Sequence, residues 1–410
     1  MVDFTIPDEI SDITEGLCTF IEREILPLEE MNAELFVNDR NLYDESGHYV
    51  PLHKELRKQA RMKSAEAGYY TMFGSKEVGG AELGPLALVH IHDRMNARFG
   101  MRPLVHKVVI PSEFTNGLTP ILTFMKPELR DIYLPVIASG EKTLCVAISE
   151  PDAGSDIYNM RAKAIRDGNG WIISGTKQWI TNGPYADYCL LFAVTDAERC
   201  RERKGGITGF FIDAEWQGYD ASTVIPIMGH PGGDTGILNL DNVLVPDSHV
   251  LGEVHGGMKV ALTGINIGRL AMASISAGLA QWGLNQAIEY SKIRKTFGKP
   301  IAEHQMIQGM LAEMAMDIYA AKNMLRHCAW KIEQGERAIK EISMVKAYAT
   351  EMLCRVMDTA MQVHGGMGLT NELGLEEVYR WGRSMRIPDG TSEIQRRNIA
   401  RRLLDGDTEI

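Results

Sequence analysis

Arg386-Ile387-Pro388-Asp389-Gly390-Thr391-Ser392-Glu393-Ile394-Gln395-Arg396-Arg397 lies near the end of a 410-residue chain and joins a turn, a carboxylate and a helix start. Pro388 disfavours helix in the residue before it, Gly390 admits backbone angles closed to other residues, and Thr391 or Ser392 can cap the helix that follows. Gln395 stands three residues after Ser392, the spacing of a capping box. A helix is therefore expected from about residue 391, with Ile394, Ile399, Ala400, Leu403 and Leu404 on its apolar face. Arg396, Arg397, Arg401 and Arg402 are left for solvent, carboxylates or phosphates. Asp389 sits at the mouth of that helix. It serves there either as a turn and cap residue or as a delivered carboxylate, and the rest of the chain decides between the two.

Upstream of this stretch the helical period continues. Ile307, Met310, Leu311, Met314, Ile318, Ala321, Leu325, Cys328 and Ile332 hold one stripe, and Ile342, Val345, Ala349, Leu353, Val356, Ala360 and Val363 hold another. With a segment over 264–293 ahead of them and the helix after Asp389 behind, a four-helix bundle is expected. The methionines along the stripe read as core filling between helices rather than as ligands. From about 142 the period changes. Short β-rich runs at 143–148, 171–183, 188–194, 207–212, 222–227 and 237–244, parted by turn signals, predict a β-barrel or sandwich. Within 171–183 the sequence reads as two strands around Gly175, closed by an Asn182-Gly183 turn. Before this region helical spacing returns. Ile10, Ile13, Leu17, Phe20, Ile21 and Ile25 precede Pro27, and 52–67 forms a second helix closed by Gly68. A periodic segment through Met95 follows the Gly-rich loop 79–85, and 127–137 makes a further short helix. The polar stretch 32–49 reads as a surface excursion with little chemistry of its own. The fold class is thus α+β multidomain, with an N-terminal α-helical domain (1–138), a middle β-barrel (139–254) and a C-terminal four-helix bundle (255–410).

A chain with 45% hydrophobic and 24% charged residues can build two or three cores. The net charge of -11, with no concentrated basic tail, argues against sequence-independent binding of nucleic acid. Cys18, Cys145, Cys189, Cys200, Cys328 and Cys354 show no CxxC or metal-ligand spacing, which favours structural thiols in a reducing compartment. No metal site is expected. Residues 1–7 lack a basic region followed by an apolar run, and no run of 18 apolar residues occurs, so no membrane span and a cytoplasmic location are expected.

Four further strings carry possible chemistry. Ser149-Glu150-Pro151-Asp152-Ala153-Gly154-Ser155-Asp156 leaves the first β-run. Its small residues let backbone N–H groups and two hydroxyls approach a flat polar ligand, although Asx and Ser turns use the same vocabulary. In Trp179-Ile180-Thr181-Asn182-Gly183, period-two alternation puts Trp179 and Thr181 on one face, either as a ligand platform or in the core. Arg294-Lys295-Thr296-Phe297-Gly298-Lys299-Pro300-Ile301-Ala302-Glu303-His304-Gln305 breaks two bundle helices. Arg294 can hold a pyrophosphate and Phe297 can stack on an adenine, while Gln305 lies on the first turn of the next helix. Basic residues are favoured at a helix C-terminus in any case. Gln362-Val363-His364-Gly365-Gly366-Met367-Gly368 frees backbone N–H groups for an anion, or simply ends a helix. No Walker loop or strand-linked GxGxxG is present.

Taken in order, these strings resemble the acyl-CoA dehydrogenase family, in which T/S-E-P-x-A-G-S-D, W-I-T-N-G, R-x-x-F-G-x-x-I, Q-x-x-G-G-x-G and E-G-T-S-x-I-Q-R follow one another. The likeness takes in the Phe4-Thr5-Ile6 start, Ile25-Leu26-Pro27, and Asp241-Asn242-Val243-Leu244-Val245-Pro246 before the bundle. Only 32–49 looks like an insertion. The resemblance implies one FAD per subunit, an acyl-CoA substrate, a homotetramer or homodimer, and an electron-transferring flavoprotein as acceptor. It puts Val146, Ile148, Ser149, Gly154 and Ser155 at the flavin edge and Trp179 and Thr181 over the ring. By the same likeness Arg294, Phe297 and Gln305 hold the pyrophosphate and adenine half, and Gln362, Gly365 and Gly366 act from a neighbouring subunit. Thr391 and Glu393 close around the dinucleotide, and the substrate contacts fall on Ser155, Arg269, Asp389 and Gly390.

The implied reaction is α,β-dehydrogenation of an acyl-CoA to the 2-enoyl-CoA. A thioester α-proton is too weakly acidic for a carboxylate in water, so the site must stabilise the developing enolate and exclude water. In the family the stabilising hydrogen bonds come from the base residue's own N–H and an FAD ribityl hydroxyl. Two departures stand out. The base position holds Asp389 where Glu is commonest, which moves the carboxylate by about 1.3–1.5 Å. Gly268 occupies the position beside Arg269 where some relatives carry the base instead, leaving Asp389 as the candidate. A cyclic, branched or otherwise atypical acyl group is therefore expected. The alternatives are an acyl-CoA oxidase, a flavin-dependent monooxygenase of the same fold, or a catalytically silent binding protein.

Overall fold

The structure, a computed structural model, describes residues 5–409. Phe4 of the Phe4-Thr5-Ile6 string lies outside them. The helices in chain order are α1 (Asp8–Phe20), α2 (Leu26–Met31), α3 (Ala33–Phe36), α4 (Pro51–Glu66), α5 (Pro85–Phe99), α6 (Pro127–Ala138), α7 (Ala197–Arg201), α8 (Gly257–Ile293), α9 (Gln305–Glu333), α10 (Ile339–His364), α11 (Leu375–Met385) and α12 (Ser392–Leu404). The strands are β1 (Leu144–Ala147), β2 (Lys163–Asp167), β3 (Gly170–Thr181), β4 (Tyr188–Val194), β5 (Ile207–Asp213), β6 (Tyr219–Val224), β7 (Thr235–Pro246), β8 (Val250–Leu251), β9 (Lys295–Thr296) and β10 (Lys299–Pro300). Helical N- and C-terminal parts thus enclose a middle sheet along the sequence. In space the chain forms two compact units. A sheet unit takes Glu24–Leu83 and Lys107–Gly268, and a bundle unit takes the chain up to Arg23, Gly84–His106 and the chain from Arg269 onward.

In the sheet unit the strands run β6-β7-β3-β2-β4-β5-β8, with β1 joined in parallel to β4. The sheet is strongly curled. β3 and β5 have two strands between them, which in a flat sheet means about 14 Å, yet the Trp171 and Phe210 rings lie 5.8 Å apart. That curl encloses one core, to which Cys189, Leu191 and Ala193 of β4 point together with Ile173, Ile212, Leu238 and Val243. The other face of β4, Leu190 and Phe192, packs with Ile121, Leu122, Leu129 and Ile137 in a second core. Burial on both faces is why 188–194 reads as an unbroken apolar run. Each large side chain so buried contributes about 1.5–3 kcal/mol.

Two readings of this region change. Residues 171–181 form one strand rather than two. Gly175 (φ 147°) sits inside it at a register shift, because a side chain there would come 2.6 Å from the Ala162 Cα. The 32–49 stretch is more than a surface excursion. Tyr43 stacks on Tyr49 at 5.4 Å, Tyr49 is buried and stacks on Tyr185 at 4.5 Å, and the Gly233 N–H donates to the Gly47 carbonyl at 3.2 Å. β2 was not legible, since only Ala164 of its five residues is buried.

In the bundle unit the expected α10 stripe, from Ile342 to Val363, is buried throughout. α5 crosses α8 at Gly278, where a Cβ would stand 2.6 Å from the Asp93 carbonyl oxygen, so only glycine fits. On α9 the stripe is buried from Met314 to Cys328, but Ile307, Met310 and Leu311 are only partly covered and Met306, Met316 and Tyr319 are exposed. α11 is an additional helix ahead of the Asp389 turn, and it packs on α10. α8 alone among the described helices is long and apolar enough to cross a membrane, and 67% of its apolar window is buried within the protein.

Candidate functional site

Within the sheet unit, the loop after β1 is laced to β3 through a buried ion pair. The Lys177 Nζ, fully buried, donates to the Glu150 Oε1 at 2.7 Å and to the Ile148 carbonyl at 3.1 Å. Glu150, also buried, accepts the N–H groups of Arg161 (2.6 Å) and Ala162 (3.0 Å). Burial pushes the Lys177 ammonium below the usual lysine range, and the Glu150 charge opposes that shift. The Gln178 N–H then donates to the Ser149 carbonyl at 2.9 Å, which sets the Ser149 loop against the next residue of β3, Trp179.

Trp179 is the extra residue of a β-bulge. Gln178 pairs with Ile237 and Ile180 with Gly236, leaving Trp179 unpaired at φ 65° with 55% of its surface exposed. Strict alternation would have put Trp179 on the buried side with Lys177, and the bulge turns it out instead. Thr181 is half-buried at the end of the strand. Of the other loop residues, Val146 is buried, Ile148 and Ser149 are partly covered, and Gly154 and Ser155 are exposed. No atom lies within 4 Å of where a Gly154 side chain would begin.

Within the bundle unit, the Asp389-Gly390 turn is left-handed at both residues (φ 56° and 92°). Its carbonyls face three side chains from three helices. Arg269 Nε of α8 donates to the Asp389 carbonyl at 2.8 Å. Gln395 Nε2 of α12 donates to the Asp389 carbonyl at 3.1 Å and to the Gly390 carbonyl at 2.9 Å. Lys346 Nζ of α10 donates to the Gly390 carbonyl at 3.0 Å. Arg269 and Gln395 are buried and Lys346 is completely so. Burial lowers Lys346 to about 8 against the pull of the Asp389 charge, and it also lowers Arg269.

The helix after the turn is capped by Thr391, whose Oγ1 accepts the Ile394 N–H at 3.3 Å. The capping box expected from Ser392 and Gln395 does not form, because Thr391 rather than Ser392 is the cap and Gln395 turns its Nε2 to the turn's carbonyls. Glu393 is exposed, and its carboxylate is lowered by backbone N–H bonding first and the Thr391 hydroxyl next. Glu351 of α10 ties down the two sides of the turn. It pairs with Arg396 at 2.7 Å and approaches Arg386 at 3.8 Å, and the Arg396 bond leads in lowering it to about 2. Lys346, Gln395 and Glu351 were missed as site residues. Nothing local marks Lys346, whose helical face also carries Ser343 and Thr350, and Gln395 reads in the sequence only as a capping residue.

At the α8–α9 junction, β9 and β10 form a hairpin whose two turn residues, Phe297 (φ 52°) and Gly298 (φ 81°), are both left-handed. This is the geometry of a type I′ turn, with phenylalanine where glycine or asparagine is usual. The Phe297 ring is 97% exposed. Arg294 and Gln305 are exposed, the latter as the first residue of α9. Tyr290 near the end of α8 stacks on His364 at the end of α10 at 4.4 Å, which brings this hairpin to the end of the bundle unit that carries Gln362, Gly365 and Gly366. Gln362 is exposed, and the space beside both glycines is open. Lys346 and His364 are separated by about 27 Å along α10, so the hairpin motifs and the Asp389 turn lie at different places in one chain. All six cysteines are unpaired, five of them buried, and no cluster of metal-ligating side chains occurs among the described residues.

Known proteins share this arrangement of sequence. The family model described as acyl-CoA dehydrogenase, middle domain, matches residues 145–243, and that described as acyl-CoA dehydrogenase, C-terminal domain, matches residues 255–404. The chain is 35% identical over 350 residues to a 3-(aryl)acrylate reductase of Clostridium sporogenes, covering 85% of this chain and 91% of that protein. It is 31% identical over 411 residues to the (R)-benzylsuccinyl-CoA dehydrogenase of Thauera aromatica, covering 99% of this chain and 98% of the other. Among solved structures, the butyryl-CoA dehydrogenase of Megasphaera elsdenii matches with a TM-score of 0.81 at 26% identity, covering 98% of this chain and 100% of that one.

Proposed function

The chain belongs to the acyl-CoA dehydrogenase family of flavin-dependent oxidoreductases, and we propose that it removes the α-proton of an acyl-CoA thioester with Asp389. The observation that carries this reading is the Asp389-Gly390 turn, held in a strained left-handed conformation by buried donors from three helices. A carboxylate used only as a cap does not need that support.

The residues present fit FAD. Trp179 and Phe297 offer aromatic faces held out from the backbone at left-handed positions, and Gly154, Gly365 and Gly366 leave open space for a ligand to approach the main chain. Ser149, Ser155, Trp179 and Thr181 would hold the ring portion, and Arg294, Phe297 and Gln305 the pyrophosphate and adenine portion. When bound, FAD supplies the acceptor for the hydride that leaves the β-carbon. The protein's own work is to orient the thioester, exclude water and take the α-proton at the Asp389 carboxylate. The positive charges of Arg269 and Lys346 beside that carboxylate favour the ionised form needed for the step.

A homotetramer or homodimer belongs to this proposal. The separation of Gln362, Gly365 and Gly366 from the Asp389 turn along one chain supports their acting in a neighbour's site. Electron transfer to an electron-transferring flavoprotein, a cytoplasmic location and domain boundaries near 138 and 254 complete it. The acyl group is aryl-bearing, cyclic or branched rather than straight-chain, as the names of the two relatives and the short Asp389 side chain support. The test is anaerobic bleaching of the FAD-loaded protein by a panel of linear, branched, cyclic and aryl acyl-CoAs. Bleaching by a cyclic or aryl member, lost in Asp389→Asn, is expected. Wild-type bleaching by Asp389→Asn would remove Asp389 from the role of base.

The reductase relative favours a second reading, net reduction of an aryl-bearing enoyl substrate by the same groups run in reverse. Reoxidation of dithionite-reduced enzyme by an arylacrylyl-CoA, faster than reduction by the saturated thioester, would favour it.

A further inference from the structure

Lys346 is a completely buried lysine on α10, one turn from Ile342 and Ala349 and from the buried hydroxyls of Ser343 and Thr350. A buried ammonium costs several kcal/mol unless it is well bonded, and methionine or leucine would fill the same space without that cost. Among the described residues Lys346 forms no ion pair. Its Nζ is given a backbone oxygen, the Gly390 carbonyl at 3.0 Å. Gln395 reaches the same oxygen and the preceding one, and Arg269 reaches the preceding one. Both carbonyls of the Asp389-Gly390 turn are therefore pulled inward.

In a trans peptide the C=O and the following N–H point in opposite directions. Pinning these two carbonyls inward turns the N–H groups of Gly390 and Thr391 outward, and neither donates to an acceptor among the described residues. The same pinning holds Asp389 in the left-handed region, which aspartate tolerates better than most residues with a Cβ. It also matters that the carboxylate is an aspartate. A short side chain cannot swing to correct a displaced backbone, so the place of its Cα sets the place of its oxygens.

We propose that Lys346 is a positioning residue for the dehydrogenation, locking the Asp389-Gly390 peptide planes, together with Gln395 and Arg269, so that the carboxylate and the outward N–H groups face the substrate in fixed register. The proposal rests on Asp389 being the base. A second consequence follows from charge. The ammonium faces Asp389 of the turn, Arg269 of α8, Glu351 of its own helix and Glu393 of α12, so its removal takes away a cation that favours ionised Asp389.

The test uses the FAD-loaded full chain with the acyl-CoA that bleaches it best. Lys346→Met keeps the length of the side chain and deletes the donor and the charge. Lys346→Gln keeps a donor without charge and serves if the methionine variant does not fold. In Lys346→Met we expect flavin reduction to slow at least tenfold while the substrate KM changes less than threefold. The acidic limb of the rate–pH profile moves to higher pH, and amide exchange over residues 386–396 quickens. Lys346→Gln regains part of the rate but not the wild-type pH profile. Reduction within twofold of wild type with an unmoved pH profile, in a background where Asp389→Asn is inactive, would overturn the positioning role and leave the base assignment standing. A fully active Asp389→Asn would overturn both.

Discussion

Lys177→Met is the sharpest test of how the sheet unit is built. The substitution leaves a side chain of similar length at a completely buried position, so packing is kept while the ammonium is deleted. Two bonds vanish: the 2.7 Å bond to Glu150 and the 3.1 Å bond to the Ile148 carbonyl. Removing one partner of a buried ion pair costs about 3–5 kcal/mol. Glu150 retains the N–H groups of Arg161 and Ala162, which partly compensate its charge and place the loss near the lower end, at about 3 kcal/mol. That is a change of about two orders of magnitude in the folded-to-unfolded ratio. The Ile148 carbonyl is left without its lysine donor, so the Ser149–Ser155 loop loosens against Trp179 and FAD is retained less well. Guanidinium denaturation followed by tryptophan fluorescence, with FAD retention on gel filtration, measures both effects. The double variant Lys177→Met/Glu150→Leu should recover most of the stability, because replacing a buried pair by apolar groups is often neutral or favourable. A loss below about 1 kcal/mol with full FAD retention, or a double variant no better than the single one, would refute the role given to this pair.

Phe297→Ala removes a ring that is almost wholly exposed, at a left-handed turn position that phenylalanine disfavours. FAD affinity should fall by about 0.5–1.5 kcal/mol, a few-fold to roughly tenfold in Kd, with no loss of apoprotein stability, as flavin fluorescence titration and thermal unfolding would show. Lys346 makes stability depend on pH in the alkaline range. Its folded-state value of about 8 lies below the 10.5 of an unperturbed lysine, so between those values the unfolded chain binds more protons and unfolding free energy rises with pH. The burial penalty is fully present below about 8 and relieved by about 10.5, a contribution of about 3 kcal/mol that Lys346→Met should lack in denaturation midpoints measured at pH 7.5 and 10.

Much of the fold was legible because it is periodic. The α10 stripe, the doubly buried run of β4 and the closing helix after Thr391 each satisfy a spacing rule that burial then obeys. β2 and α11 escaped notice for opposite reasons. One strand has a single buried residue, and the other element stands close against the motif-rich segments on either side of it. The candidate site was legible only as motifs. Trp179, Phe297 and Asp389 could be singled out, yet their left-handed angles could not, since nothing local marks a bulge or a strained turn at a residue that is not glycine.

Sequence by itself determined the helical, sheet and helical order of the chain, its longest elements and the family, because hydrophobic period and ordered motifs are properties of neighbouring residues. Only tertiary structure decided what aims the functional side chains. Lys177 reaches Glu150 across 27 positions of chain, Lys346 reaches Gly390 across 44, and Arg269 reaches Asp389 across 120. In each case a buried donor is worth its desolvation only when a distant carbonyl or carboxylate arrives at about 3 Å, a condition that no local spacing can encode.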